Sequence, residues 1–155
     1  MSAEENKAIA RRFVKALQEF FRSGDADLVD SVLAENVVQY ISGMPPEARS
    51  LEGFKQLLPT LRQAFPDTLF EVQDVVAEGD KVAFRLIWNA THQGELFGIP
   101  PSGNRATVTE AHVFRIADGK VVERWSEWDA LGMMQQLGAI AEPQRSEQSE
   151  ETSPT

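Results

Sequence analysis

The sequence predicts an α+β fold: a curved antiparallel sheet wrapped around N-terminal helices, forming a cone with an apolar pocket. Apolar residues recur at helical spacing as far as Ala64. The period then changes to two, in long runs separated by short turn sequences. Helices first and a strand meander afterwards place the helices against one sheet face, and the space between them can become a pocket. The 155 residues, 42% hydrophobic and 25% charged, suffice for one domain with a real core.

The first helix is expected from about Ala3 to Arg22, because Ile9, Phe13, Leu17 and Phe20 repeat at helical spacing. Ser23-Gly24-Asp25 stops it. Asp25 or Asp27 caps a short helix through Leu33. Asn36 to Ile41 is rich in β-branched residues and reads as a strand. A third helix runs from about Leu51 to Ala64, with Pro59 inside it as a point of kinking or splitting. Strands follow at Leu69–Ala77, Lys81–His92, Arg105–Ile116 and Val121–Trp128. Glu78-Gly79-Asp80-Lys81 and Ala117-Asp118-Gly119-Lys120 supply hairpin turns, and Gln93 to Asn104 is a Gly/Pro-rich loop. A last short helix carries Leu131, Met133, Met134 and Leu137 and ends at Gly138. Residues 1–141 are expected to form the domain, and the polar stretch 142–155 a disordered acidic tail.

Composition narrows the function. There is no cysteine, so disulfides, thiolate catalysis and cysteine-ligated metals are excluded. The two histidines, His92 and His112, lie on different elements without ligand spacing, so neither a metal nor another cofactor is expected. A net charge of −9 opposes binding to nucleic acid or to anionic membranes. The basic cluster Lys7, Arg11, Arg12 and Lys15 shares its helix with Glu4, Glu5 and Glu19 and reads as a solvated face. No apolar run approaches the ~20 residues of a membrane span, and the N-terminus lacks the apolar region of a signal peptide. A cytoplasmic location is the expectation.

Alternation sorts the strand residues into faces. Val108, Glu110, His112, Phe114 and Ile116 share one face, which their apolar members turn inward. Arg105, Thr107, Thr109 and Arg115 share the other. On the last strand Val122, Arg124, Ser126 and Trp128 alternate with Val121, Glu123, Trp125, Glu127 and Asp129, and the pattern alone leaves the inward set open.

Several segments carry a resemblance: Ala64-Phe-Pro-Asp, Val76-Ala-Glu-Gly-Asp-Lys-Val, Thr91-His-Gln-Gly-Glu-Leu-Phe-Gly-Ile-Pro-Pro-Ser-Gly, His112-Val-Phe-Arg-Ile-Ala-Asp-Gly-Lys-Val-Val-Glu and Trp128-Asp-Ala-Leu-Gly-Met-Met-Gln-Gln-Leu-Gly. Together they cover most of the chain between residues 5 and 138. They resemble the SnoaL-like polyketide cyclase (ester cyclase) family, whose cone fold is shared with nuclear transport factor, ketosteroid isomerase and scytalone dehydratase. The resemblance implies the cone fold and the Arg124/Ser126/Trp128 face as the inward one. It also implies a pocket histidine at His112. At the position of Ser126 the family's cyclases hold an aspartate that acts as general acid/base, and this chain departs from that pattern.

The candidate residues follow. His112 can move a proton near neutral pH, or it is a buried histidine satisfied by a hydrogen bond. Glu110 either has a raised pKa beside an apolar wall or pairs with Arg124. A serine hydroxyl needs an activating base, so Ser126 cannot replace the aspartate unaided. Asp129 is either a substitute acid or a helix N-cap. Tyr40, Trp88 and Trp128 are candidate pocket walls or plain core. Phe114 joins them on the inward strand face. His92, at the end of a strand beside the Gly-rich loop, either fixes the loop or serves the pocket mouth; the loop Gly94–Gly103, with Phe97 and Ile99, is either a lid over the pocket or a packed crossover.

The leading expectation is a cofactor-free enzyme acting by acid–base chemistry on an apolar oxygenated small molecule such as a polyketide ester, by cyclisation, isomerisation or elimination. His112 would transfer the proton, Glu110 would orient it, and Arg124 or Ser126 would stabilise the oxyanion. The alternatives are a non-catalytic ligand-binding or accessory protein, and a cone-fold hydrolase or dehydratase using an inward Glu127–Asp129 pair. By analogy with other cone folds, Ile87, Val113 and Trp125 on the outer sheet face would serve a homodimer or higher homo-oligomer.

Overall fold

The computed structural model describes residues 2–141, and the tail expected at 142–155 lies outside the described residues. Helix α1 spans Ala3–Ser23. Its start is fixed by a capping box: Ser2 Oγ accepts from the Glu5 N–H, and the Ser2 N–H donates to the Glu5 carboxylate. Gly24, at a φ of 83°, ends it in the left-handed conformation. Asp25 then caps a short 3₁₀ turn, Ala26–Ser31, tighter and shorter than the predicted helix.

Strand β1 covers Leu33–Ile41 and so starts three residues before the predicted Asn36. Leu33-Ala34-Glu35 carries little β-propensity, and its extended form comes from pairing Leu33 with Val121. Helix α2, Leu51–Ala64, runs unbroken through Pro59. Strands β2 (Leu69–Glu78), β3 (Lys81–Thr91), β4 (Arg105–Ala117) and β5 (Lys120–Trp128) form the meander, and α3 (Ala130–Gln136) closes the domain.

The sheet order is β1-β5-β4-β3-β2. One expectation is corrected: the sheet is mixed, because β1 pairs with β5 in parallel while the other three pairings are antiparallel. Tight hairpin turns force β2–β3 and β4–β5 antiparallel, and the longer β3–β4 loop returns the chain antiparallel as well. Strand β1 reaches its edge through α2, a long connection that leaves direction free.

A second correction concerns β5. A bulge between the pairs Arg115–Glu123 and Ile116–Val121 shifts the alternation, so the buried set is Val121, Arg124 and Ser126 rather than Val122, Arg124 and Ser126. Further bulges lie between Val72 and Val75 of β2 and between Leu33 and Val38 of β1. Such bulges bend a strand locally and increase its twist.

The helices cover the inner sheet face. Ile9, Phe13, Leu17 and Phe20 of α1, with Phe54 and Leu58 of α2, pack on Val82, Phe84, Leu86, Phe114 and Ile116. A second apolar cluster of Phe65, Trp88, Leu96, Val108, Met133 and Leu137 forms beneath α3 and the β3–β4 loop. Phe114 is wholly buried in the first cluster, edge-on to Phe13 and Phe84 at 5.1 and 5.0 Å, and is not among the residues lining the apolar pocket between helices and sheet. Its expected pocket role is therefore withdrawn. Tyr40 does not line the apolar pocket between helices and sheet; it borders a separate, polar hollow with Ser42, Pro45, Arg49 and Glu127. It is 42% exposed on the opposite sheet face, stacked on Trp125 at 6.1 Å with Arg49 over its ring.

Phe13 is wholly buried in the core, with the Arg124 guanidinium over its ring. Phe13→Ala is expected to lower the unfolding free energy by about 3–5 kcal/mol, read by urea denaturation of the two proteins.

Candidate active site

A pocket opens between α1, α2 and the inner face of the sheet, with a volume of about 830 Å³ counting its mouth. Leu57, Leu58 and Leu61 of α2 form one wall, and Trp88 and Trp128 from the sheet form another. Leu96 and Phe97 of the β3–β4 loop close over it. Phe97 is 57% exposed, with a φ of 47°. Backbone bonds from Gln93 and Gly94 to the Ala64 carbonyl tie this loop to the end of α2. A Cβ on Gly94 would fall 2.2 Å from the Gln63 carbonyl oxygen, so only glycine permits this approach.

Four polar side chains meet this apolar space on adjacent strands. His112 of β4 lies directly opposite Ser126 of β5, and Glu110 and Arg124 sit two residues along on the same face. They form one chain of hydrogen bonds. Arg124 Nη1 donates to Ser126 Oγ at 3.1 Å. Ser126 Oγ lies 2.7 Å from His112 Nδ1, and His112 Nε2 lies 2.8 Å from Glu110 Oε1. Trp88 Nε1 donates to the other carboxylate oxygen, Oε2, at 2.7 Å.

The protonation pattern follows. Burial, the largest influence, pushes the His112 pKa below its usual value; Glu110 opposes this and Arg124 adds to it. The imidazole is therefore neutral at physiological pH. The Glu110 oxygen accepts at Nε2, so the ring's one proton sits there and points at the carboxyl group. Nδ1 then accepts the Ser126 hydroxyl proton. Phe84 stacks on the imidazole at 4.8 Å with 4° between the planes, which fixes the ring.

Arg124 is fully enclosed. Its Nε and Nη2 donate to Gln39 Oε1 at 2.9 and 2.5 Å, and its guanidinium lies 4.9 Å from the Phe13 ring and 4.5 Å from the Phe54 ring. Burial lowers its pKa to about 9, which leaves it a cation at neutral pH. Among the described residues no carboxylate lies within ion-pair distance of it. The reading of Glu110 as a direct partner of Arg124 does not survive; its carboxylate is spent on His112 and Trp88.

The remaining candidates lie elsewhere. Of the two readings of Asp129 the helix cap holds and the substitute acid falls: its carboxylate accepts from the Gly132 N–H and caps α3, outside the pocket. Glu127 faces solvent and bonds Ser42, so the inward Glu127–Asp129 pair does not form. For His92 the loop-fixing reading holds and the pocket-mouth reading falls: it is wholly buried, beside the pocket rather than in it. Its Nδ1 accepts from the Ser102 N–H at 3.1 Å, and Phe65 packs 5.5 Å away, so it fixes the loop base. Trp128 lines the pocket and donates to the Ser42 carbonyl at 2.6 Å.

Gln39 was missed by the sequence reading. Its Nε2 donates to the Ser50 carbonyl at 3.2 Å, which turns its oxygen towards Arg124. The available signal was an amide in phase with Val37 and Ile41 on the inward face of β1.

An α+β cone with a buried acid–base chain at the base of an apolar pocket defines a class of small-molecule site. Comparison with known proteins places the chain within that class. The family model for SnoaL-like polyketide cyclases matches residues 11–137, and the chain belongs to this family. The aklanonic acid methyl ester cyclase DauD of Streptomyces sp. strain C5 is 29% identical over 128 residues, covering 81% of this chain and 79% of that protein. AclR of Streptomyces galilaeus, a candidate hydroxylase, superposes with a TM-score of 0.80 at 29% identity, over 97% of this chain and 91% of AclR. The candidate polyketide cyclase IdmH of Streptomyces antibioticus gives a TM-score of 0.69 at 33% identity, over 81% and 96%.

The lowered His112 pKa has a consequence for stability. Between the folded and unfolded pKa values the unfolded chain binds more protons at this site. The His112 contribution is therefore complete above about pH 6.5 and is lost as pH falls towards the folded value. Denaturant unfolding at about pH 7.5, 6 and 5 is expected to show a steeper loss for wild type than for His112→Gln. Equal slopes would mean that His112 does not titrate with folding.

Proposed function

We propose that this protein is a polyketide-type cyclase that removes a proton alpha to a carbonyl of an apolar, oxygenated ring substrate and returns it to an oxygen of the product. One observation supports this above the rest: the Arg124–Ser126–His112–Glu110 chain begins at a buried cation and ends at a carboxylate, at the base of an apolar pocket.

His112 has both nitrogens engaged, so it acts through the Ser126 hydroxyl. Ser126 Oγ takes the substrate proton as its own proton passes to Nδ1. The imidazolium so formed is stabilised by Glu110, already bonded to Nε2. The enolate oxygen lies against Arg124, three of whose five N–H donors are engaged within the protein. After ring closure the proton returns by the same route to the new alkoxide. The relay compensates for the family's aspartate, which Ser126 replaces. Every step uses groups of this chain, and the reading requires no cofactor.

The test is turnover, by mass spectrometry, of a panel of polycyclic ketones and polyketide methyl esters. Wild type is expected to give an isomeric cyclised product. Ser126→Ala and His112→Gln are each expected to lower kcat by about 10²-fold or more. Ser126→Asp is expected to retain turnover, since a carboxylate opposite His112 takes the proton directly. Rates indifferent to all three substitutions would remove the relay.

The pH profile gives a separate check. The rate requires neutral His112 and cationic Arg124. The acid limb of kcat/KM is expected below the usual histidine range of about 6.5, and the alkaline limb near the Arg124 pKa of about 9.

A further inference from the structure

We propose that the same residues form an acyl-transfer triad, in which Ser126 Oγ attacks the carbonyl carbon of an apolar carboxylic ester and carries the acyl group transiently. The proposal rests on the reading above in one respect, that the Ser126 proton passes to His112. It does not depend on cyclisation.

The geometry is that of an activated serine. A nucleophilic hydroxyl needs a base in hydrogen-bond contact and a third group that orients the base. Ser126 Oγ is 2.7 Å from His112 Nδ1, and His112 Nε2 is 2.8 Å from the Glu110 carboxylate. Relative to the serine-protease arrangement the two ring nitrogens have exchanged partners, and the roles are otherwise the same. Trp88 holds the far carboxylate oxygen, and Phe84 holds the ring plane.

Arg124 adds what an isolated triad lacks. Its Nη1 donates to Ser126 Oγ at 3.1 Å, so a fixed positive charge lies beside the oxygen that must become an alkoxide. The oxyanion of a tetrahedral intermediate on Ser126 forms within reach of the same guanidinium. The walls around it are leucine, phenylalanine and tryptophan, which suit an aromatic or polycyclic acyl group.

The step balances without an added oxidant or reductant. The Ser126 Oγ–carbon bond forms and the carbon–alkoxy bond breaks. The Ser126 proton moves through His112 to the leaving alkoxide, which departs as the alcohol. Water then attacks the acyl-enzyme and gives its proton to His112. Ser126 leaves and recovers that proton, releasing the carboxylic acid.

The test treats the whole protein with an alkyl fluorophosphonate and maps the adduct by peptide mass spectrometry. One phosphonyl group is expected on the peptide that contains Ser126. It is expected to be absent from Ser126→Ala and formed about 100-fold more slowly by His112→Gln, since general-base activation is worth that much or more. The mapping on wild type stands whether or not a variant folds. No adduct at Ser126, or an equal adduct on Ser126→Ala, would overturn the triad. Adduct at Ser126 with no cyclised product from the ester panel supports the triad and removes the cyclase reading. Cyclised product without the adduct does the reverse.

Discussion

The burial of the Arg124 charge is the constraint on which the site depends. Removing a guanidinium from water is costly unless its donors are satisfied and its charge is stabilised. Here the satisfaction comes from four elements at once. Strand β1 supplies the Gln39 oxygen, β5 supplies Ser126, and α1 and α2 supply the Phe13 and Phe54 rings. Gln39 is itself held by the carbonyl of Ser50, whose hydroxyl caps α2. Parallel pairing of β1 with β5 brings Gln39 level with Arg124. The mixed sheet is thus a requirement of the site and not an ornament of the fold.

From that fixed cation the polarity of the pocket follows. Positive charge lies at one end of the hydrogen-bond chain and the Glu110 carboxylate at the other, with a neutral hydroxyl and a neutral imidazole between them. Cross-strand pairing sets His112 opposite Ser126, and the two-residue period sets Glu110 and Arg124 on the same face. All four groups ride on a backbone ladder rather than on loops, so their spacing is rigid. The β3–β4 loop contributes only apolar cover, and His92 anchors it from outside.

Most of the fold and the inward face of β4 were legible because apolar periodicity reports burial directly. Glu110 and His112 could be placed inward from their neighbours Val108, Phe114 and Ile116 alone. The residues misplaced share a physical reason. Tyr40 is an aromatic of the right chemical type and Phe114 lies on the inward face, yet only register and packing decide whether an aromatic side chain meets the pocket, the core or solvent. Asp129 could be a cap or an acid from sequence, and the local N–H groups of α3 claimed it. The β5 bulge was invisible because one extra residue changes the face without changing composition. Gln39 was overlooked because its role depends on a partner 85 residues away.

The balance of charge inside and outside the pocket bears on what such a site favours. The chain carries a net charge of −9, a field that disfavours the approach of an anionic ligand, while the Arg124 cation is confined below an apolar throat. A neutral ring compound loses little by entering and meets the cation with no charge of its own. An enolate or tetrahedral oxyanion gains far more from the same guanidinium, because the enclosed, low-dielectric setting strengthens each interaction. The stabilisation is then concentrated in the charged transition state rather than spread over ground-state binding, the condition under which binding accelerates a reaction. Both reactions proposed for Ser126 develop negative charge on oxygen beside Arg124. They differ in whether the serine oxygen meets a hydrogen or a carbonyl carbon, a choice set by how the substrate lies against the leucines of α2 and the tryptophans of the sheet.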